Sequence, residues 1–87
     1  EADPALAFGL NAFPNPSEGH FTVDAWWMGQ GAMLLLRDAA GRLERQIPMP
    51  GEGGRRTQLN GLTPGVHLLE LQAEGRRKVF RLVVTGR

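Results

Sequence analysis

The chain has 87 residues, a formal net charge of +1 and no cysteine. A chain of this length forms one domain at most, and such domains bury only about 60% of the surface that the unfolded chain exposes. Disulfides are excluded, no His, Asp and Glu residues stand at metal-ligand spacing, and we expect neither a metal nor another cofactor.

Turn-forming residues divide the chain into short strand-like segments. Twelve glycines and six prolines are spread along it, and no window keeps apolar residues at helical spacing. Seven short strands with turns between them are typical of a two-sheet antiparallel sandwich. The predicted strands are Ala5–Leu10, His20–Trp27, Ala32–Asp38, Leu43–Met49, Arg55–Leu59, Val66–Ala73 and Lys78–Thr85.

Alternation within the strands predicts which side chains face the core. In the sixth strand the charge of Glu70 marks its face as the more exposed one, so His67 on the opposite face should point inward. The inward-facing set predicted in this way includes Phe21, Val23, His67, Leu69, Leu71, Leu82 and Val84.

The segment Phe13–Gly19 is predicted to be a stiff loop. Pro14 and Pro16 fix φ near −65° and favour extended conformations before them. We expect the Asn15 side chain to bond its own backbone, and Gly19 to take a positive φ.

Two later connections have their own turn chemistry. Between the third and fourth strands, Asp38 should accept from backbone N–H groups while Gly41 supplies the left-handed residue. Residues 60–65 form a corner with Leu62 in the core, and Met49–Arg56, rich in glycine and proline, is the predicted mobile loop.

The inventory of catalytic side chains is nearly empty, so we expect no enzyme. The chain has one serine, one lysine and two histidines, and nucleophilic catalysis needs a nucleophile beside an oriented base. Ser17 should cap backbone groups in its turn, and His20 should be exposed. His67 is expected to be a hydrogen-bonded structural residue, with a ligand role as the alternative.

Adjacent Trp26 and Trp27 point to opposite faces of a strand. One interpretation places one in the core and the other over a sheet edge. The alternative is an outward aromatic platform for sugars or bases, the former as in an accessory carbohydrate-binding or adhesive module of a secreted protein.

Charge is unevenly distributed. Residues 1–54 hold seven acids and three arginines, whereas residues 55–87 hold seven bases and two acids. A basic face for an anionic partner is one interpretation. The other is that Arg76, Arg77, Lys78 and Arg81 are solvated positions of an edge strand, where positive charge blocks association between sheets.

Four segments of the chain form an ordered pattern. Phe13–Val23 is an aromatic-Pro-Asn-Pro segment followed by glycine and a strand, and Leu34–Leu43 is an apolar strand with an Asp-x-x-Gly-Arg turn. Leu59–Leu71 contains Leu-x-x-Leu-x-x-Gly, and Lys78–Val84 is a basic and then apolar terminal strand. In this order they resemble the type IX secretion C-terminal sorting domains of Bacteroidetes, which usually have an aromatic residue where this chain has His67.

The resemblance implies an immunoglobulin-like β-sandwich at the end of an N-terminal cargo domain. The outer-membrane translocon and its shuttle proteins would recognise it, and a sortase-like cell-surface peptidase would remove it. The cargo would be exported through the periplasm to the cell surface or extracellular space. Residues 1–7 would be a linker or cleavage-region remnant, residues 8–87 the sorting domain, and no nucleic acid partner is implied.

Recognition is expected at the last strand and its hairpin, whose exposed edge would pair with a partner strand or with a second copy in an edge-strand dimer. The recognition residues are Gly65, Gly75, Arg76, Arg77, Lys78, Val79, Phe80, Arg81, Leu82, Val83 and Val84. The residues expected to shape the domain are Pro14, Asn15, Pro16, Gly19, Asp38, Gly41 and Leu62.

Overall fold

The computed structural model describes residues 8–86, which form seven β-strands and no helix. The strands are β1 (Gly9–Phe13), β2 (Phe21–Trp27), β3 (Ala32–Asp38), β4 (Leu43–Met49), β5 (Gly53–Leu59), β6 (Gly65–Ala73) and β7 (Arg76–Val84). Because this part of the chain has no helix, it also has no helix that could cross a membrane.

The strands form two antiparallel sheets. The first has the order β1-β2-β5 and the second β4-β3-β6-β7. Apolar residues from both sheets share one core, in which Phe21, Val23 and Leu82 are fully buried. The predicted all-β sandwich of about seven strands is confirmed, as is the inward orientation of His67 and Leu62.

Several predicted boundaries are wrong. The last strand runs from Arg76 to Val84 and not from Lys78 to Thr85, because Arg76 and Arg77 pair with Ala73 and Gln72 of β6. The other two differences arise because pairing with β2 overrides local composition. The first strand runs to Phe13, since Asn11, Ala12 and Phe13 pair with β2; Ala5–Ala7 and the rest of the predicted linker lie outside the described residues. The predicted mobile loop Met49–Arg56 shrinks to residues 50–52, because β4 includes Met49 and β5 begins at Gly53 opposite Trp27.

The β6–β7 hairpin has a two-residue turn, Glu74-Gly75. Both residues have positive φ, 53° at Glu74 and 74° at Gly75. This is the signature of a type I′ turn, which matches the twist of the strands that it joins. Gly75 meets the conformational requirement without strain, whereas Glu74 adopts a conformation unusual for its residue type.

Candidate recognition surface

The predicted recognition residues come together at one lateral edge of the four-stranded sheet. Strand β7 holds all of them except Gly75, which lies in the hairpin turn, and Gly65, which begins β6. Gly65 pairs directly with Val84, so the corner that it shapes lies beside the end of the last strand. As an edge strand, β7 has one side free of sheet partners.

The C-terminal half of this edge is closed by the segment of residues 15–17. The Asn15 amide donates through Nδ2 to the carbonyl oxygen of Arg81 at 2.8 Å, and its Oδ1 accepts from the Val83 N–H at 3.0 Å. Ser17 N–H then donates to the Val83 carbonyl at 3.0 Å, and Thr85 N–H donates to the Ser17 carbonyl at 2.8 Å. The segment therefore acts as a short parallel strand on β7.

The prediction that Asn15 bonds its own backbone is wrong. A primary amide offers a donor and an acceptor side by side, as a peptide group does, and the outward main-chain groups of β7 present the complementary pair. These groups come from residues more than sixty positions along the chain. No local pattern encodes such a contact, and the only hint in the sequence is the placement of Asn15 between two prolines.

Ser17 and Gly19 join the same segment to the corner that contains Leu62. Ser17 Oγ accepts from the N–H groups of Gly19 and His20, as expected of a capping hydroxyl, and it also donates to the His20 carbonyl. Gly19 has a φ of 121°, and a Cβ there would lie 2.9 Å from the Leu62 carbonyl oxygen. The predicted positive φ is confirmed, and the close approach of Leu62 is a second requirement for glycine.

The N-terminal half of the β7 edge is open among the described residues. In antiparallel pairs, main-chain groups of alternate residues point away from the partner strand. Since Arg81 and Val83 present theirs to Asn15 and Ser17, and the β6–β7 register is regular, Arg77 and Val79 present theirs outward too. Residues 76–79 are exposed and no described residue pairs with this half of the edge, while β1 of the other sheet lies beside β7 without pairing with it.

The four basic residues of β7 do not form a single patch. Arg77 and Arg81 lie on the outer face of the sheet, whereas Arg76 and Lys78 pair with core-facing positions of β6 and so lie on the opposite face. Arg76 places its guanidinium 5.3 Å from the centre of the Phe8 ring. All four side chains are exposed, as predicted for an edge strand, but they flank the edge from two sides.

Glu70 is buried, which contradicts the expectation that its charge marks an exposed face. Its carboxylate lies 3.5 Å from Arg37 Nε and 3.8 Å from Arg77 Nε, and it accepts from Gln72 Nε2 at 2.7 Å. Its neighbour in β3 is Leu35, which is also buried although it faces outward. Arginines from the two strands that flank β6 therefore cover the carboxylate. The alternation of residues within β6 could not predict this burial, because these partners are distant in sequence.

His67 is held by two protein oxygens. Its Nδ1 lies 2.5 Å from a carboxylate oxygen of Glu44, and its Nε2 lies 2.8 Å from the Thr63 carbonyl. The ring is almost fully buried, and within residues 8–86 no group of three or more potential ligands could hold a metal ion. The histidine therefore bridges β4 and the corner before β6, in agreement with a structural role.

The turn after β3 forms as predicted. Asp38 Oδ1 accepts from the N–H groups of Ala40 and Arg42, each at 2.9 Å, and Gly41 has a φ of 87°. The bond from the Arg42 backbone, assisted by the Arg42 guanidinium, lowers the pKa of Asp38. The turn is therefore most stable with Asp38 ionised.

The two tryptophans divide as one of the two interpretations predicts. Trp27 is buried in the core and its Nε1 donates to the Gly51 carbonyl at 2.9 Å. Trp26 lies half-buried on the outer face of the three-stranded sheet and covers β1, the edge strand.

Comparison with known proteins adds no assignment: no protein-family model matches the chain, and no curated protein is significantly similar to it.

Proposed function

We propose that this chain is a C-terminal sorting domain that directs its cargo through a type IX secretion system, in which the folded domain is recognised and no catalysis takes place. The translocon and its shuttle proteins would bind it, and a sortase-like cell-surface peptidase would separate it from the cargo. The cargo would reach the cell surface or the extracellular space.

The contact between Asn15 and β7 is the observation that supports the proposal most directly. The Pro-Asn-Pro segment and the terminal strand are two of the four segments on which the family resemblance rests, and they lie at opposite ends of the domain. Asn15 joins them through two hydrogen bonds. A label that is recognised as a folded shape needs this kind of link, because its terminal strand must be held in place.

The open half of the β7 edge is the proposed contact for the translocation machinery. A partner strand that pairs with Arg77 and Val79 would bind mainly through main-chain groups, which suits a label shared by unrelated cargoes. The arginines and the lysine on the two sides of the edge would favour an acidic partner strand.

The proposal predicts that export depends on this edge. A secreted reporter fused to residues 1–87 is expressed in a bacterium with a type IX system, and the fraction in the medium or on the surface is measured by immunoblot. Deleting Val79–Arg87 should abolish export, and Val79→Pro, which removes an outward N–H, should reduce it about tenfold.

The matched control is Gln46→Pro in β4, the opposite edge of the same sheet. Pro48 already lies in β4, and a proline in a strand must occupy a position whose N–H would not donate to the neighbouring strand. Gln46 is two residues away, so its N–H also points outward from the sheet. Export that survives the deletion, or that falls equally with both prolines at equal folded stability, would contradict the proposal.

A further inference from the structure

On the outer face of the three-stranded sheet, residues of the three strands are aligned in rows across the sheet, and the proposed export function does not involve them. Three residues lie side by side in each row, one from each strand. The first row is Gly9, Trp26 and Gly54; the second is Asn11, Asp24 and Arg56; the third is Phe13, Thr22 and Gln58.

Both neighbours of Trp26 in its row are glycines, and both are needed. A Cβ on Gly9 would overlap three atoms of the indole, from both of its fused rings. A Cβ on Gly54 would lie 2.8 Å from the Ala25 carbonyl oxygen and 3.3 Å from Trp26 Cα. The indole therefore lies down on the backbone of β1, and neither neighbour in the row has a side chain to cover its outward surface.

The second row places polar groups in the row next to this aromatic surface, and the Arg56 guanidinium lies 5.6 Å from the centre of the Phe13 ring in the third row. Arg56 binds the Asp24 carboxylate with two hydrogen bonds, Nε to Oδ1 at 2.7 Å and a terminal nitrogen to Oδ2 at 2.9 Å. The pair leaves unused lone pairs on the carboxylate and unused N–H groups on the guanidinium, and Asn11 adds an amide. Adjacent rows are two residues apart, about 7 Å, which is the scale of one sugar ring.

We propose that this face is a binding site for a neutral pyranose unit of a glycan, with Trp26 as the stacking platform. A pyranose ring has an apolar C–H face for the indole and hydroxyls that both donate and accept, as Asn11, Asp24 and Arg56 do. The charges of Asp24 and Arg56 cancel, which favours a neutral ligand. A nucleic acid would instead need a positively charged groove beside the stacking residue.

The site also distinguishes the two tryptophans spectroscopically. Trp27 is buried with its Nε1 bonded to Gly51, whereas no described residue accepts from Nε1 of Trp26. Each indole N–H gives its own signal in a ¹H–¹⁵N NMR spectrum. A ligand on the platform should therefore shift the Trp26 signal and leave the Trp27 signal in place.

The test is a titration of the ¹⁵N-labelled chain with cellohexaose, xylohexaose and mannohexaose. At least one of these neutral sugars is expected to shift the Trp26 indole signal and the Asn11 side-chain amide in a saturable way. Trp26→Ala should weaken binding about tenfold or more, in line with the loss of one stacking contact. Arg56→Gln changes an exposed side chain and should weaken binding severalfold, with circular dichroism used to check that the variant is folded.

The matched control is Leu43→Ala, which trims an exposed apolar side chain on β4 of the other sheet and should leave sugar binding unchanged. The inference is overturned if none of the three sugars shifts the Trp26 signal, or if folded Trp26→Ala binds as tightly as the parent. It is also overturned if a twelve-residue thymidine oligonucleotide shifts that signal and the sugars do not. Because export is not measured, the result is independent of the proposed sorting function.

Discussion

At the scale of single residues, Asn15 links the start of the domain to its last strand. Its amide makes two hydrogen bonds to β7, to the carbonyl of Arg81 and from the N–H of Val83. No other side chain in the described part of the chain makes hydrogen bonds to the β7 edge. Replacing a single atom of the Asn15 amide should therefore change the free energy of unfolding of the whole sandwich measurably.

Asn15→Asp should lower the free energy of unfolding by about 1–2 kcal/mol at neutral pH, because a carboxylate can accept from Val83 but cannot donate to Arg81. The loss should shrink in acid, where the protonated carboxyl regains a donor. Urea denaturation at neutral and acid pH measures both effects. Asn60→Asp, which adds the same charge in an exposed loop, is the control and should have little effect; equal losses in the two variants would disprove the assignment.

At the scale of strands and turns, the elements were predictable where the signal is local. Period-two alternation and turn residues fix β3 and β4, the Asp38 turn and the inward set that includes Phe21 and Leu82. The end of β1, the start of β5, the partner of Asn15 and the burial of Glu70 depend on strands distant in sequence. The position of Trp26 over a sheet edge was one of two interpretations. Its glycine neighbours could not be predicted, because they become neighbours only through the register of three strands.

The hairpin turn gives a prediction at this scale. Glu74 has a φ of 53° in a type I′ turn, a conformation that asparagine tolerates better than glutamate. Glu74→Asn should therefore raise the free energy of unfolding by about 0.5–1 kcal/mol. Glu74→Ala removes the same carboxylate without the conformational gain, so thermal denaturation that ranks alanine above asparagine would refute the explanation.

At the scale of the whole molecule, the two sheets are joined at one side by residues 15–17 and share one core. The described part of the chain has no disulfide and no metal-ligand cluster, so its stability rests on burial and on hydrogen-bonded side chains such as Asp24, Asp38, Glu70 and His67. Among these, Asp24 and Asp38 have pKa values lowered below 3.8, Asp24 chiefly by the hydrogen bonds from Arg56 and Asp38 chiefly by the Arg42 backbone N–H.

These two carboxylates predict loss of stability in acid. Each has a lower pKa in the folded state than in the unfolded state, so its contribution is complete above the unfolded value near 3.8 and disappears as the pH falls through the folded value. Urea midpoints measured from pH 6 down to pH 2.5 should fall mainly below about pH 4. Arg56→Gln should flatten part of this decline, because it returns the pKa of Asp24 toward its ordinary value. Added salt should reduce the same part of the decline, because the Asp24–Arg56 pair is exposed.

The control is Arg55→Gln. Arg55 is the neighbouring exposed arginine and makes no ion pair with a described residue, so its substitution should leave the decline unchanged. An identical flattening in both variants would show that net charge, and not the Asp24–Arg56 pair, sets the acid sensitivity of the fold.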